Sequence, residues 1–234
     1  HFLHLSKTAN VSFSKEMSLA RLTQSLVAGL LVGADIVEKN AQKVLRNSES
    51  TTLGIWLPVI APSACKENED IMKQKLFDVI EKESVELAAL ADYIYDCAEC
   101  GCEEFKSQSA LCSYLETHGF EVERGVGGLK TAFRAVYKSL EGGVRIGLLC
   151  EYDALFGIGH ACGHHMQGPS ALGAAFALKN CLGGRKPFTL VVYGCPDEEG
   201  YANGGKQVML ENGCFNDIDV ALIMHGGTET TTDL

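Results

Sequence analysis

Apolar residues from Ile71 to about Ala98 recur at helical spacing, with Leu76, Val79, Ile80, Val85, Leu87, Leu90, Ala91 and Ile94 on one broad face. That period predicts a long helix, interrupted near Ser84. A second helix is expected from Lys106 to Thr117, stopped by His118-Gly119, where glycine stands in the usual position past a helix end and His118 reads as a capping or surface residue. The pattern then changes. FEVER, TAFRAVY and VRIGLLCEY are short β-branched and aromatic runs separated by GVGG and EGG, and they read as strands. The third is nearly all apolar up to Cys150, as expected of a strand covered on both faces. A small-residue helix from about Ser170 to Leu182, the buried strand PFTLVVYGC, a short helix from Gly205 to Asn212 and a last strand, DVALIMH, complete the run. Strands alternating with helices predict an α/β fold: a central mixed, largely parallel sheet flanked by helices.

The first 70 residues are less regular. A helix is plausible from Lys15 to Arg46, followed by NSESTT and GIWLPVIAPSACKENED, whose Ser, Thr, Asn, Gly and Pro mark loop and linker. The expected division is a partly helical amino-terminal extension over 1–70 and a folded domain over 71–234.

Composition narrows the partners. The 234 residues are 46% hydrophobic and 21% charged, an ordinary globular balance. A formal net charge of −10, without clustered Lys and Arg, argues against a nucleic-acid partner. No apolar run reaches the length of about 18 residues that a membrane-spanning helix needs. Met17 to Ala34 resembles a weak signal peptide but fits an amphipathic helix equally well. Ten irregularly placed cysteines, several inside apolar runs, point to a reducing compartment, and so to the cytoplasm. Cys97 and Cys100 have C-x-x-C spacing, with Cys102 beside them; lacking a second such pair, they read as loop or buried thiols rather than a zinc knuckle.

The chemistry concentrates in Glu151 to Gln167, EYDALFGIGHACGHHMQ, where Cys162 and His164 flank a single glycine and His160 stands two residues before Cys162. Thiolate and imidazole are the ligands that zinc and related divalent ions prefer. Three predicted strands finish on metal-competent or acid–base residues: Glu151 and Asp153, Glu198 and Glu199, and His225. Carboxyl ends of strands are where α/β sheets bind ligands. Adjacent carboxylates on extended chain face opposite ways, so one of Glu198 and Glu199 can hold a metal while the other faces a water. A divalent ion lowers the pKa of its water toward ~7, and a carboxylate in reach can carry the proton to a leaving amine. Hydrolysis of an amide or peptide bond is the chemistry these groups support. A Cys162 nucleophile with His164 or His165 as base is the competing arrangement, but it leaves the glutamate pair idle.

EYDALFGIGHACGHH, PDEEG, GGKQVMLENGCFNDIDVALIMH and, more loosely, CAECGCEEFKSQSALCSYLETHGFEVERGVGGLKTAF resemble the amino-terminal half of a co-catalytic metallopeptidase family. That family includes aminoacylases, glutamate carboxypeptidase and amidohydrolases of auxin conjugates; the likeness is to its p-aminobenzoyl-glutamate hydrolase and basic-residue dipeptidase branch. The resemblance implies two divalent ions, zinc or manganese, and a small dipeptide or N-acyl or N-aroyl amino acid as substrate. It implies that Cys162, His164, Glu199 and His225 are metal ligands, with Cys162 bridging, that Glu198 is the general base and acid, and that Asp153 orients a ligand. Glu151, His160 and His165 become supporting residues. The chain departs from the pattern at Phe156, where proline is usual, at CAECG, which replaces a segment beginning His-Pro-Glu, and at His165, where relatives carry Asn or Asp. Family members continue past the MH strand into a lid domain, often used for dimerisation, and return with a last histidine ligand. The expectation for 71–234 is therefore an incomplete zinc-peptidase-like catalytic domain without its lid; the alternative is an inactive relative serving as a metal-binding or interaction module.

Overall fold

The structure is a computed structural model that describes residues 62–202 and 204–226, with side chains from Asp70 onward. The expected Lys15–Arg46 helix and the Met17–Ala34 segment lie outside the described residues.

Helix α1 spans Pro62–Cys97 and is continuous through both the 66–70 stretch and Ser84. Ser84 does not break it because its hydroxyl donates to the Glu81 carbonyl at 2.7 Å, satisfying the polar group within the helix. Leu76, Ile80, Leu87, Ala91 and Ile94 form its buried face, at the expected spacing. Val85 lies off that face, 78% exposed. Helix α2, Phe105–Thr117, buries Leu111, Cys112, Tyr114 and Leu115. It ends where His118 caps it, its N–H bonding the Tyr114 carbonyl, and Gly119 turns the chain at φ +74°.

The sheet has five strands: β1 Glu121–Arg124, β2 Phe133–Lys138, β3 Val144–Cys150, β4 Phe188–Gly194 and β5 Val220–Ile223, in the order β1-β2-β4-β3-β5. It is mixed, as expected. β1 and β2 pair antiparallel and β2 joins β4 antiparallel, whereas β3 lies parallel to both β4 and β5. All seven residues of β4 are buried. Leu190 and Val192 face the main core with α1, α2 and α3, and Val191 and Tyr193 face a smaller one with Val126, Ala132 and Met209, the period-2 alternation of a strand covered on both sides.

Helix α3 runs from His164 to Leu182 and returns the chain from β3 to β4. It starts six residues before the predicted Ser170, because Gly168-Pro169, which reads as a loop in sequence, lies within the first turns of the helix. Only one backbone bond, from the missing Pro169 N–H to the His165 carbonyl, is forfeited there. Its small residues, among them Ala171, Ala174 and Ala175, let it sit close on the sheet and α1, and Gly168 lies against Leu111. Helix α4, Gly205–Glu211, precedes β5. The path from β3 to β4 goes one way across the sheet, and the path from β4 to β5 returns past β3 to its other side. Such a reversal opens a crevice at the carboxyl ends of the strands.

Gly194 faces Phe133 across the β2–β4 pairing, and a Cβ at that position would overlap the phenyl ring, itself fully buried. Gly194→Ala is expected to destabilise the fold by about 1–3 kcal/mol, measured as a lower urea midpoint with an unchanged m-value.

Candidate metal centre

Register brings the chemistry together. Cys150 pairs with Gly194 and Leu149 with Ile223, so β3, β4 and β5 end at one level and release 151–153, 195–199 and 224–225 at the same edge. Glu151 and Asp153, two apart on extended chain, face one side, while Tyr152 points to the other and donates its hydroxyl to the Thr131 carbonyl at 2.6 Å. Gly163, at φ +88°, turns the chain into α3 and presents His164 at the first helical position.

His164 is fully buried. Its Nδ1 lies 2.9 Å from Asp153 Oδ1, an atom that can only accept from it, so Nδ1 carries the hydrogen and Nε2 offers a lone pair. That Nε2 makes no hydrogen bond; Glu151 Oε2 is 3.3 Å away and Glu198 Oε2 3.7 Å away. His225 is set in the same way, its Nδ1 2.7 Å from the Gly226 carbonyl, and its Nε2 lies 3.3 Å from Cys162 Sγ. The two rings stand 5.5 Å apart, edge to face. Two imidazoles thus turn their lone pairs into one cluster.

Charge follows the same geometry. Burial, then the charges of Glu199, Glu198 and Glu151, push the Cys162 thiol up to about 11. Glu199 approaches that thiol with its side chain, and its Oε1 is buried without a hydrogen-bond partner. Burial would raise the Asp153 carboxyl, but the His164 ring and the Glu199 N–H, 3.0 Å from Oδ2, hold it below the usual range. Burial would lower His164, and Asp153, Glu151 and Glu198 together outweigh it and raise the ring's pKa. Two donor groups result, Cys162–His164–His225 and Glu151–His164–Glu198, with the ligand atoms in each within 4.8 Å of one another. Thiol, imidazole and carboxylate are a donor set suited to zinc-like divalent ions, and the orphaned His164 Nε2 and Glu199 Oε1 are the buried polar atoms such ions would satisfy.

His160 and His165 stand apart from this cluster. His160 Nε2 meets the Ile94 carbonyl at 3.1 Å, burial lowers its pKa, and its ring lies 5.2 Å from that of His165, which packs edge-on against Tyr95 at 5.0 Å. Cys97, Cys100 and Cys102 form no metal-competent group among the described residues. Their segment instead anchors the site: Ala154 N–H bonds the Glu99 carbonyl at 2.8 Å, and the Glu99 carboxylate accepts the first N–H groups of α2. Phe156 keeps an N–H that proline would lack, and donates it to the Tyr201 hydroxyl at 2.8 Å, joining the loops after β3 and β4.

Four residues of the site lie inside the quoted stretches without a role having been read for them. Gln167, one turn into α3, donates to Glu151 Oε2 at 2.6 Å and accepts the Glu151 N–H. Lys206 reaches from α4 to Glu151 Oε1 and stands 3.8 Å from Glu198 Oε1. Asp197, at φ +55°, accepts the N–H groups of Tyr201, Ala202 and Gly204 and so shapes the turn that displays Glu198 and Glu199. Glu104 accepts the Asp197 N–H at 2.9 Å. An aspartate ahead of a Gly-containing turn is a readable signal for Asp197; the others depend on tertiary contacts alone.

No family model matches the chain. It is 39% identical over 170 residues to a component of the p-aminobenzoyl-glutamate hydrolase of Escherichia coli (strain K12), covering 63% of this chain and 34% of that one. It is 31% identical over 176 residues to Xaa-Arg dipeptidase of Mus musculus, covering 70% of this chain and 40% of the relative. The chain therefore spans well under half the length of these relatives. Among solved structures it is similar to the Bacillus subtilis YXEP protein, a dinuclear metal-binding peptidase of the M20 family, with a TM-score of 0.53 and 24% identity over 58% of this chain and 41% of that one. It is also similar to the aminobenzoyl-glutamate utilization protein of Klebsiella pneumoniae, with a TM-score of 0.52 and 18% identity over 63% and 45% of the two chains. Those two likenesses establish the fold. In sequence, the chain is similar to the hydrolase and the dipeptidase named above over the part of their length that it spans, as its motifs implied.

Proposed function

We propose that this chain forms the metal-holding half of a metal-dependent amidohydrolase or dipeptidase. The observation that carries the proposal is the buried His164 Nε2, which makes no hydrogen bond and faces a group of donors drawn from three strand ends. Cys162, His164, Glu199 and His225 would hold two divalent ions, zinc or manganese. Such ions, when bound, acidify a water and polarise the scissile carbonyl. Asp153 fixes the His164 tautomer and, through the Glu199 N–H, the turn beside it. Glu198 is partly exposed, so one of its carboxylate oxygens can take a proton from the attacking water and return it to the leaving amine. Glu151 is balanced by the Lys206 ammonium, hydrogen-bonded by the Gln167 amide, and stiffens the wall behind His164. His160 and His165 support the loop through Tyr95.

Names of the relatives suggest the substrate class: an N-aroyl amino acid such as p-aminobenzoyl-glutamate, or a dipeptide ending in a basic residue. All nine cysteines from Cys97 to Cys214 are free, which fits the reducing cytoplasm. No helix among the described residues is long and apolar enough to cross a membrane.

Zinc or manganese bound per chain, measured by equilibrium dialysis, is expected to fall to background at the strand-end site in His164→Ala and Cys162→Ser. Binding by those variants equal to that of the parent would refute the assignment. Asp153→Asn replaces the carboxylate that holds the His164 tautomer with a neutral amide that can also donate to Nδ1, and is expected to weaken metal binding about 10- to 100-fold. Glu198→Gln is expected to keep its metal and lose about 100-fold or more in hydrolysis of p-aminobenzoyl-glutamate or of a dipeptide ending in arginine. Turnover that survives complete chelation would sink the proposal.

A further inference from the structure

A second set of metal-competent donors lies in the helical layer, where the middle of α1 meets the end of α2. Glu83 and Glu86 are one turn apart on α1 and share a face. Glu83 is about 16 Å along the helix axis from Ile94, the residue whose carbonyl meets His160 beside the strand-end cluster. His118 stands just past α2, its ring stacked on Tyr114 at 4.0 Å and edge-on to Phe176 at 4.6 Å. One ligand atom from each of Glu83, Glu86 and His118 lies within 4.8 Å of the others.

The local hydrogen bonds leave this group incomplete. His118 Nδ1 lies 2.7 Å from the Tyr114 carbonyl, which can only accept, so in the neutral ring Nε2 is a bare lone pair. That lone pair faces Glu83 Oε2 at 3.9 Å. The gap exceeds the 2.7–3.2 Å of an N–H···O bond, and is nearer the separation of about 3.3 Å between two ligands bonded at ~2.0–2.1 Å to one tetrahedral ion. A second observation points the same way. The Tyr114 hydroxyl, on a residue only 6% exposed, reaches no acceptor at ordinary hydrogen-bond distance and turns toward the Glu83 carboxylate, whose charge adds to burial in raising its pKa. Lys179, the nearby cation, is engaged on the other side of His118, at its main-chain oxygen and over the rings of Phe120 and Tyr137.

We propose that Glu83, Glu86 and His118 form a second divalent-cation site, distinct from the strand-end cluster, that ties α1 to the end of α2. One imidazole nitrogen and two carboxylates carry a charge of −2, which a divalent ion balances, and the nitrogen donor favours zinc or a similar borderline ion over calcium or magnesium. The three protein ligands leave one position for a water, within reach of the Tyr114 hydroxyl. The site's role is structural: it lies away from the carboxyl ends of the strands, and its ion clamps two helices.

Zinc alone is the probe. In the Cys162→Ser/His164→Ala double variant, one zinc per chain is expected to remain by equilibrium dialysis, to shift the His118 Nε2 resonance in nitrogen-15 NMR spectra, and to raise Tm. Adding Glu86→Gln is expected to weaken that binding at least tenfold, and adding His118→Ala to abolish it. Should either background fail to fold, the intact chain carrying Glu86→Gln alone, altered at an exposed position, is expected to bind one zinc fewer than the parent with its hydrolysis unchanged. That readout separates this site from the strand-end cluster whether or not the chain is a hydrolase. The proposal fails if the double variant retains no zinc, if retained zinc is indifferent to both added substitutions, or if saturating zinc leaves the His118 Nε2 resonance unmoved.

Discussion

The parallel register of β3 with β4 and β5 is the constraint on which the strand-end site depends. No two of Cys162, Glu199 and His225 are close in sequence, and each lies in or beside an irregular segment whose own conformational preferences are weak. They converge because Cys150 pairs with Gly194 and Leu149 with Ile223, which levels the three strand ends. A slip of one residue in any of these pairings would turn the strand's side chains to the opposite face. The buried faces of β4, packed on both sides, make such a slip costly. The core on each side of the sheet therefore acts as the precision device for the donor cluster at its edge.

Within the site, the backbone is disciplined by carboxylates that lie outside the two donor groups. Asp197 collects three N–H groups and holds a positive φ that a non-glycine residue adopts only when its surroundings compensate. Glu104 takes the Asp197 N–H, and Glu99 takes the first N–H groups of α2. The strand sequence Glu151-Tyr152-Asp153 works likewise: the Tyr152 hydroxyl anchors the far face, so the two acids are delivered together to the near one. Negative side chains thus serve two purposes in one small region. Some replace missing backbone partners, and the rest remain as donors.

How much of this was legible in the sequence depends on the range of the interactions involved. Helix periods and strand runs are local, and they located α1, α2 and all five strands. The grouping of Cys162, His164 and His225 was legible because these residues sit in compact motifs at strand ends. The start of α3 was not, since Gly168-Pro169 is a loop signal by local rules and becomes helical only because the packed small-residue face holds that segment against Leu111 and the sheet. Ser84 misled for a similar reason: its polar side chain is satisfied inside the helix. Lys206 and Gln167 carry no local mark at all. Their importance comes from a buried Glu151 that needs a positive charge and a donor, and that need exists only after the sheet has formed.

That electrostatic need links the site to the stability of the whole fold. Glu151 and Asp153 are almost completely buried, Glu198 and Glu199 sit beside them, and Lys206 is the cation that reaches the group. His164, facing Asp153, Glu151 and Glu198, is drawn toward its protonated form by them, and the Cys162 thiol is driven away from its anionic one. Negative charge contributes to both shifts, adding to burial at Cys162 and opposing it at His164. A divalent ion reverses both, since it requires a neutral imidazole and favours a thiolate. Ion binding at the strand ends would therefore expel protons and relieve the repulsion that folding alone leaves in place. By linkage, any ion that binds the folded chain and not the unfolded one must raise its stability. The same carboxylates that gather at the strand ends make the fold depend on what the site contains.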